Sequence, residues 1–234
     1  MKFVTYSLGE GTNYRFGFKK NEYIVDIIRA SIWANENKGD YSYLEIPSTL
    51  KKALENWDVN LGKLQELNAI LPGVNIQSHS GGDKPIAYLE NEVSLYPPVP
   101  NPQSFRDFYA FEKHVQAARK LRGLEMNPDW YKIPVFYFSN PASLYGHESK
   151  IPYPNGTNEL DFELEFAVII ANGGANIPES NAEKYIAGYT ICNDWSARDL
   201  QRQEMGLNLG PAKGKDFATS FGPYLVTPDE VQDS

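Results

Sequence analysis

The stretch DFELEFAVII, residues 161–170, alternates acidic and apolar side chains and then runs into an apolar tail. In a β-strand alternate side chains share a face. Asp161, Glu163 and Glu165 therefore point one way, and Phe162, Leu164 and Phe166 the other. Successive acids on such a strand stand only about 6.5–7 Å apart. Like charges that close repel, and acids are depleted in strands. A bound hard cation removes the conflict, because Mg2+ and Ca2+ take oxygen ligands. The competing reading is the solvated outer face of an amphipathic strand, since short acidic alternations are common.

Downstream, residues 186–192 read as another strand, and NDWSARDLQ, 193–201, leaves its end, a frequent place for functional groups. Asp194 is a candidate third ligand; its alternative is a turn or helix N-cap. Arg198 can grip a substrate carboxylate in a bidentate contact, or pair with Asp194 or Asp199. Residues 199–205 suggest a short helix, and 221–226 a further strand. Between them lies GPAKGKDFATS, 210–220. Its glycine spacing is one short of a nucleotide-phosphate loop, and Asp216 stands where Ser or Thr is required, so that reading is rejected. Lys215 on this loop can stabilise an enolate, or be a solvated surface lysine.

Upstream, residues 109–122 read as a helix ending at Gly123, with Phe111, His114, Val115, Ala118 and Leu121 on or near one face. His114 is a candidate general base or a core histidine. Residues 134–139 read as a strand. Cys192, the one cysteine of the chain, has no motif that makes it a nucleophile and reads as a buried structural thiol.

The first ninety-odd residues read as a separate unit. Strands are expected over 1–8, 14–19 and 23–28, helices over 47–57 and 61–71, and a loop over 78–84. Four prolines between 97 and 102 disfavour both helix and central strand. They place a boundary near 95, giving an N-terminal β-rich domain, 1–95, and a mostly-β catalytic domain, 96–234. The expected class is mixed α/β, mainly β.

With 234 residues, 41% of them hydrophobic, the chain can bury a real core. A net charge of −8 without a dense basic stripe argues against nucleic acid and anionic membrane surfaces as partners. No apolar run approaches the roughly 20 residues of a membrane span, and MKFVTYSLGEGTNYRF lacks the apolar core of a secretory signal. A cytoplasmic location is the expectation.

Taken in order, RDFYAFEKH, DFELE, NDWSARDLQ and GKDFATSFGP resemble the fumarylacetoacetate hydrolase family, over roughly residues 104–227. The resemblance implies a β-roll catalytic domain, a homodimer and a Mg2+ or Mn2+ site, sometimes Ca2+. Glu163 and Glu165 match the family's paired glutamates, Asp194 its aspartate and Asp107 a fourth carboxylate ligand. His114 matches the general base of its tyrosine-pathway hydrolases. Tyr109 and Tyr137 match pocket tyrosines, while Arg198, Gln201, Lys215 and Thr219 match residues around the substrate's oxygens. The implied reaction is carbon–carbon bond hydrolysis in a 1,3-dicarbonyl acid of the fumarylacetoacetate or acylpyruvate type. Decarboxylation, isomerisation or dehydration of an oxo-acid on the same site is the nearest alternative, and an inactive metal-binding protein another.

Two departures from the family are visible. Met205 stands where a further pocket tyrosine is expected. Family members also normally continue beyond the strand ending near Thr227, so the catalytic domain is expected to be incomplete at its C-terminus.

Overall fold

The computed structural model describes residues 1–9, 11, 13–41, 45–208 and 210–231. Among them ten strands build one sheet. Its main path runs Leu144–Tyr145, Thr219–Phe221, Ile186–Asp194, Leu225–Val226, Lys2–Ser7, Arg15–Lys20, Tyr23–Asp26 and Ala87–Leu89. Leu164–Ile170 joins it on Ile186–Asp194, and Ser94–Leu95 on Lys2–Ser7. The fold is mixed α/β and mainly β. No helix among the described residues is long and apolar enough to cross a membrane.

The strand expected over 23–28 stops at Asp26, where a helix, Ile27–Asn37, begins. The Asp26 carboxylate is the reason. It caps the helix by accepting the Arg29 N–H at 2.9 Å, and it also accepts from the Tyr6 hydroxyl at 2.6 Å and Arg15 Nε at 2.7 Å. Such capping satisfies a backbone donor that the first turn leaves without a partner. The helical spacing over 47–71 resolves into Leu50–Ala53, a 3-10 turn Leu54–Asn56, and Trp57–Ile70. Together with Trp33 of the helix Ile27–Asn37, these helices bury Leu50, Trp57, Leu64 and Leu67 with Phe3, Phe18 and Val25 of the sheet. Ala171, Ala187 and Leu225 belong to the same core. Sheet and core thus both cross residue 95. The loop expected over 78–84 contains a small strand pair, Ser80–Gly81 with Lys84–Pro85.

The second half differs from expectation in several places, among them the strand expected over 162–170, which is Leu164–Ile170, with Asp161 in a separate pair, Leu160–Asp161 with Ser196–Ala197. The strand expected over 221–226 is two strands, Thr219–Phe221 and Leu225–Val226, because Pro223 between them has no N–H to give the ladder. The helix expected over 109–122 is Glu112–Leu121, and of its apolar stripe only Val115 is buried. Phe111 and Leu121 face solvent.

Candidate metal centre and active site

The strand Leu164–Ile170 pairs antiparallel with Ile186–Asp194, with Glu165 opposite Cys192. Asp194 ends its strand beside Glu163, whose carbonyl accepts the Asp194 N–H at 3.0 Å, and lies opposite Thr219 on the other side. Asp107 comes from a separate pair, Arg106–Phe108 with Phe136–Phe138, in which it faces Tyr137. This brings one oxygen each of Asp107, Glu165 and Asp194 within 4.8 Å of one another.

Burial separates the two faces of the acidic stretch. Asp161, Glu163 and Glu165 are half-buried, whereas Phe162, Leu164, Phe166, Val168 and Ile170 are exposed, Leu164 by 76%. The solvated-face reading is therefore corrected for Glu163 and Glu165: it is the apolar side that meets water, while Asp161, its side chain 46% exposed, stays at the rim.

Asp194 is 0% exposed. Its Oδ2 accepts from the Tyr137 hydroxyl at 2.5 Å and from Lys215 Nζ at 2.7 Å. Its Oδ1 is buried with no hydrogen-bond partner. Lys215, only 3% exposed, is no surface lysine; it also donates to Glu163 Oε2 at 2.6 Å. The other Glu163 oxygen accepts from Arg198 at 2.6 Å. Arg198 further donates to Asp161 at 2.8 Å and to Gln201 Oε1 at 3.1 Å, so its ion-pair partners are Asp161 and Glu163 rather than Asp194 or Asp199. Asp194 is not a helix cap either, since Ala197 holds that position for Arg198–Met205.

The electrostatics follow from this wiring. Burial, then Asp107, Asp194 and Glu163, push the Glu165 carboxyl up to about 8. Burial and the Asp194 charge push Asp107 up to about 6. Burial also works against ionising Glu163, but Lys215 and Arg198 outweigh it and hold its carboxyl below the ordinary value. Burial and the nearby carboxylates push the Tyr137 hydroxyl and the Cys192 thiol far up, so both stay neutral donors.

A divalent cation fits this cluster. Three oxygen donors converge, one buried carboxylate oxygen lacks a partner, and two of the acids are hard to ionise without added positive charge. Asp107, Glu165 and Asp194 would hold the ion. Glu163 stands differently, with both oxygens on cationic side chains.

The remaining candidates are placed as follows. His114 is exposed, so the core-histidine reading is corrected; its ring meets Tyr109 edge-on at 6.1 Å. The Tyr109 carbonyl accepts from Trp130 Nε1 at 2.8 Å. Thr219 is buried on its strand and donates its N–H to the Ser143 carbonyl at 3.0 Å. Two residues beyond the sequence candidates also matter. Asp161 anchors Arg198, and Glu204 binds the loop that carries Lys215. The spacing 198, 201, 204 on one helix face was the signal for Glu204.

Residues 103–234 match the family model for the fumarylacetoacetate (FAA) hydrolase C-terminal domain. A fumarylacetoacetase of Arabidopsis thaliana is 34% identical over 148 residues, covering 55% of this chain and 35% of that protein. The chain thus matches about a third of the length of such relatives. A maleylpyruvate hydrolase from a Sphingobium species, solved with manganese(II) and pyruvate, superposes with a TM-score of 0.60 at 19% identity. That similarity covers 100% of this chain and 69% of the other. A fumarylacetoacetate hydrolase from Exiguobacterium antarcticum gives a TM-score of 0.60 at 21% identity, over 98% and 67% of the two chains. These two likenesses carry the fold.

Proposed function

The chain belongs to the fumarylacetoacetate hydrolase family, and from that premise we propose that it is a divalent-metal enzyme cleaving a carbon–carbon bond in a 1,3-dicarbonyl acid of the acylpyruvate type. The observation that carries this reading is the inward carboxylate cluster, with its partnerless Asp194 oxygen, wired to the buried Lys215. The ion is Mg2+ or Mn2+, as both accept carboxylate oxygens; manganese in the Sphingobium maleylpyruvate hydrolase supports a site of this kind. Asp107, Glu165 and Asp194 are its proposed ligands; Glu163, which the family resemblance would add as a fourth, keeps both oxygens on Lys215 and Arg198. When bound, the ion supplies Lewis-acid polarisation of a carbonyl.

The protein's own residues divide the remaining work. His114 takes a proton from the attacking water. The oxygen adds to the acyl carbonyl, the carbon–carbon bond breaks, and its electron pair stays on the 2-oxo-acid fragment as an enolate. Lys215, with Arg198 and Gln201, stabilises that charge, and the enolate carbon then takes up a proton. One water is consumed, and a carboxylic acid and a 2-oxo-acid leave. Tyr109, Tyr137 and Thr219 line the substrate's position.

Loss of ultraviolet absorbance from a panel of acylpyruvates tests the reaction. It is expected with Mg2+ or Mn2+ and not with EDTA; absence under both conditions refutes this reaction for the chain. His114→Ala is expected to keep Mn2+ binding and lose at least about 100-fold in turnover, the usual contribution of a general base. Unchanged turnover would remove His114 from the mechanism. Release of CO2 in place of two acids would instead favour the decarboxylase reading.

A homodimer is part of the same proposal. The exposed apolar face of Leu164–Ile170, joined by Ile191, supports it, since a contiguous apolar patch of this kind usually meets another surface. Leu164→Glu with Phe166→Glu is expected to give monomer in analytical ultracentrifugation where the parent sediments as dimer. Dimer retained in the double variant would rule this face out.

A further inference from the structure

The helix Arg198–Met205 carries Arg198, Gln201 and Glu204 at spacings of three, which places them along one side. Arg198 donates to both Gln201 and Glu163. Glu204 turns to the loop 210–215 instead. Its Oε1 accepts the backbone N–H of Ala212 at 2.7 Å and of Gly214 at 3.0 Å, and its Oε2 that of Lys213 at 2.7 Å. The same loop closes on itself, as the Ala212 carbonyl accepts the N–H groups of Lys215 at 2.9 Å and Asp216 at 2.8 Å. Gly214 lies flat on the helix: a Cβ there would stand 2.7 Å from the Gln201 Cβ and 2.9 Å from its backbone N. No larger residue allows that approach.

One carboxylate therefore holds three loop amides at once, through hydrogen bonds of the charge-assisted kind. From the end of that loop Lys215 Nζ reaches Glu163 and Asp194 at 2.6 and 2.7 Å. We propose that Glu204 is a positioning residue: it ties the loop 210–215 to the helix bearing Arg198 and Gln201, so that all three groups arrive at the enolate as one rigid unit. What the ammonium does there rests on the function proposed above; how it is held does not.

The test is acetylation of the intact chain with N-hydroxysuccinimidyl acetate, read lysine by lysine by mass spectrometry. Lys150, exposed and outside this loop, serves as the reference. In the parent, Lys215 is expected to react far more slowly than Lys150. Glu204→Gln keeps one oxygen for two of the amides but sets an N–H against the third. Losing one hydrogen bond to a charged group should speed Lys215 acetylation about tenfold, and Glu204→Ala should speed it further. Lys20, half-buried and bonded to Asn68 in the other half of the chain, should keep its rate.

An unchanged Lys215 rate in both variants overturns the proposal. So does parallel acceleration at Lys20, which would make Glu204 a general stabiliser. On an acylpyruvate with Mn2+, Glu204→Gln is expected to lower kcat while KM moves less than about twofold, the pattern of a contact used in the transition state. Parent protein inactive on acylpyruvates, with Lys215 still accelerated in the variants, would leave the positioning role standing and remove the proposed reaction.

Discussion

Asp194→Asn is expected to weaken Mn2+ binding by well over about 100-fold, because losing even an outer-shell partner of a metal site costs 10–100-fold. Asp194 is the fully buried member of the cluster and owns the oxygen with no partner. The substitution removes its negative charge while nearly preserving its shape. It also leaves Lys215, 3% exposed, with Glu163 as its remaining ion-pair partner among the described residues. Breaking a buried ion pair costs about 3 kcal/mol at the low end of its range, so the variant should melt measurably lower even without metal. Manganese binding followed by electron paramagnetic resonance checks the first expectation, and a thermal melt in EDTA the second. Parent-like Mn2+ affinity would remove the metal site from this face of the sheet. Glu163→Gln is the informative partner experiment. A loss of affinity as large as that of Asp194→Asn would place Glu163 among the ligands. Affinity kept with turnover lost would make it the anchor of Lys215 and Arg198.

The legibility of this site in the sequence has a physical limit. Alternation of period two anticipated the separation of the acids at 161, 163 and 165, half-buried, from the exposed apolar residues between them, although the strand begins only at Leu164 and Asp161 belongs to a separate pair, Leu160–Asp161 with Ser196–Ala197. Which face is covered is not a local property. The groups that cover the acids come from far along the chain: Lys215 lies 52 residues beyond Glu163, and Tyr137 lies 57 before Asp194. For that reason Lys215, which by itself reads more readily as a solvated surface lysine, is in fact buried. The apolar stripe around His114 had the opposite outcome, as the described residues bury only Val115 of it. In the N-terminal half, strand propensity ran on to residue 28. The Asp26 side chain, engaged by Tyr6, Arg15 and the helix's own first turn, decided the boundary two residues earlier. The order of the motifs, by contrast, was legible throughout, and it carried the family.

Without metal, the melting temperature of the protein is expected to fall as pH rises from about 5 to about 8. Unfolded Asp and Glu titrate near 3.9 and 4.3, whereas burial and mutual repulsion push Asp107 up to about 6 and Glu165 up to about 8 in the folded chain. Between those limits the folded state holds protons that the unfolded state has released. Stability contributed by a raised carboxyl is fully present below the unfolded value and is lost as pH climbs through the folded one. Glu163 does not flatten this slope. Its carboxyl is lowered, so its contribution is already complete above the unfolded value and disappears only in acid. A divalent ion competes with the same protons, so its affinity should grow over the same window. At pH 8, Mn2+ at 100 times its Kd should add about 2.7 kcal/mol, or roughly 5–10 °C for a chain of this size; at pH 5 the gain should be smaller. Glu165→Gln should remove both the slope between pH 6 and 8 and most of the Mn2+ response, because a neutral amide neither releases a proton nor offers the ion a charge. A metal-free melting temperature that stays level or rises across this range would show that Asp107 and Glu165 do not share a desolvated site, and with that the cluster would lose its claim on a cation.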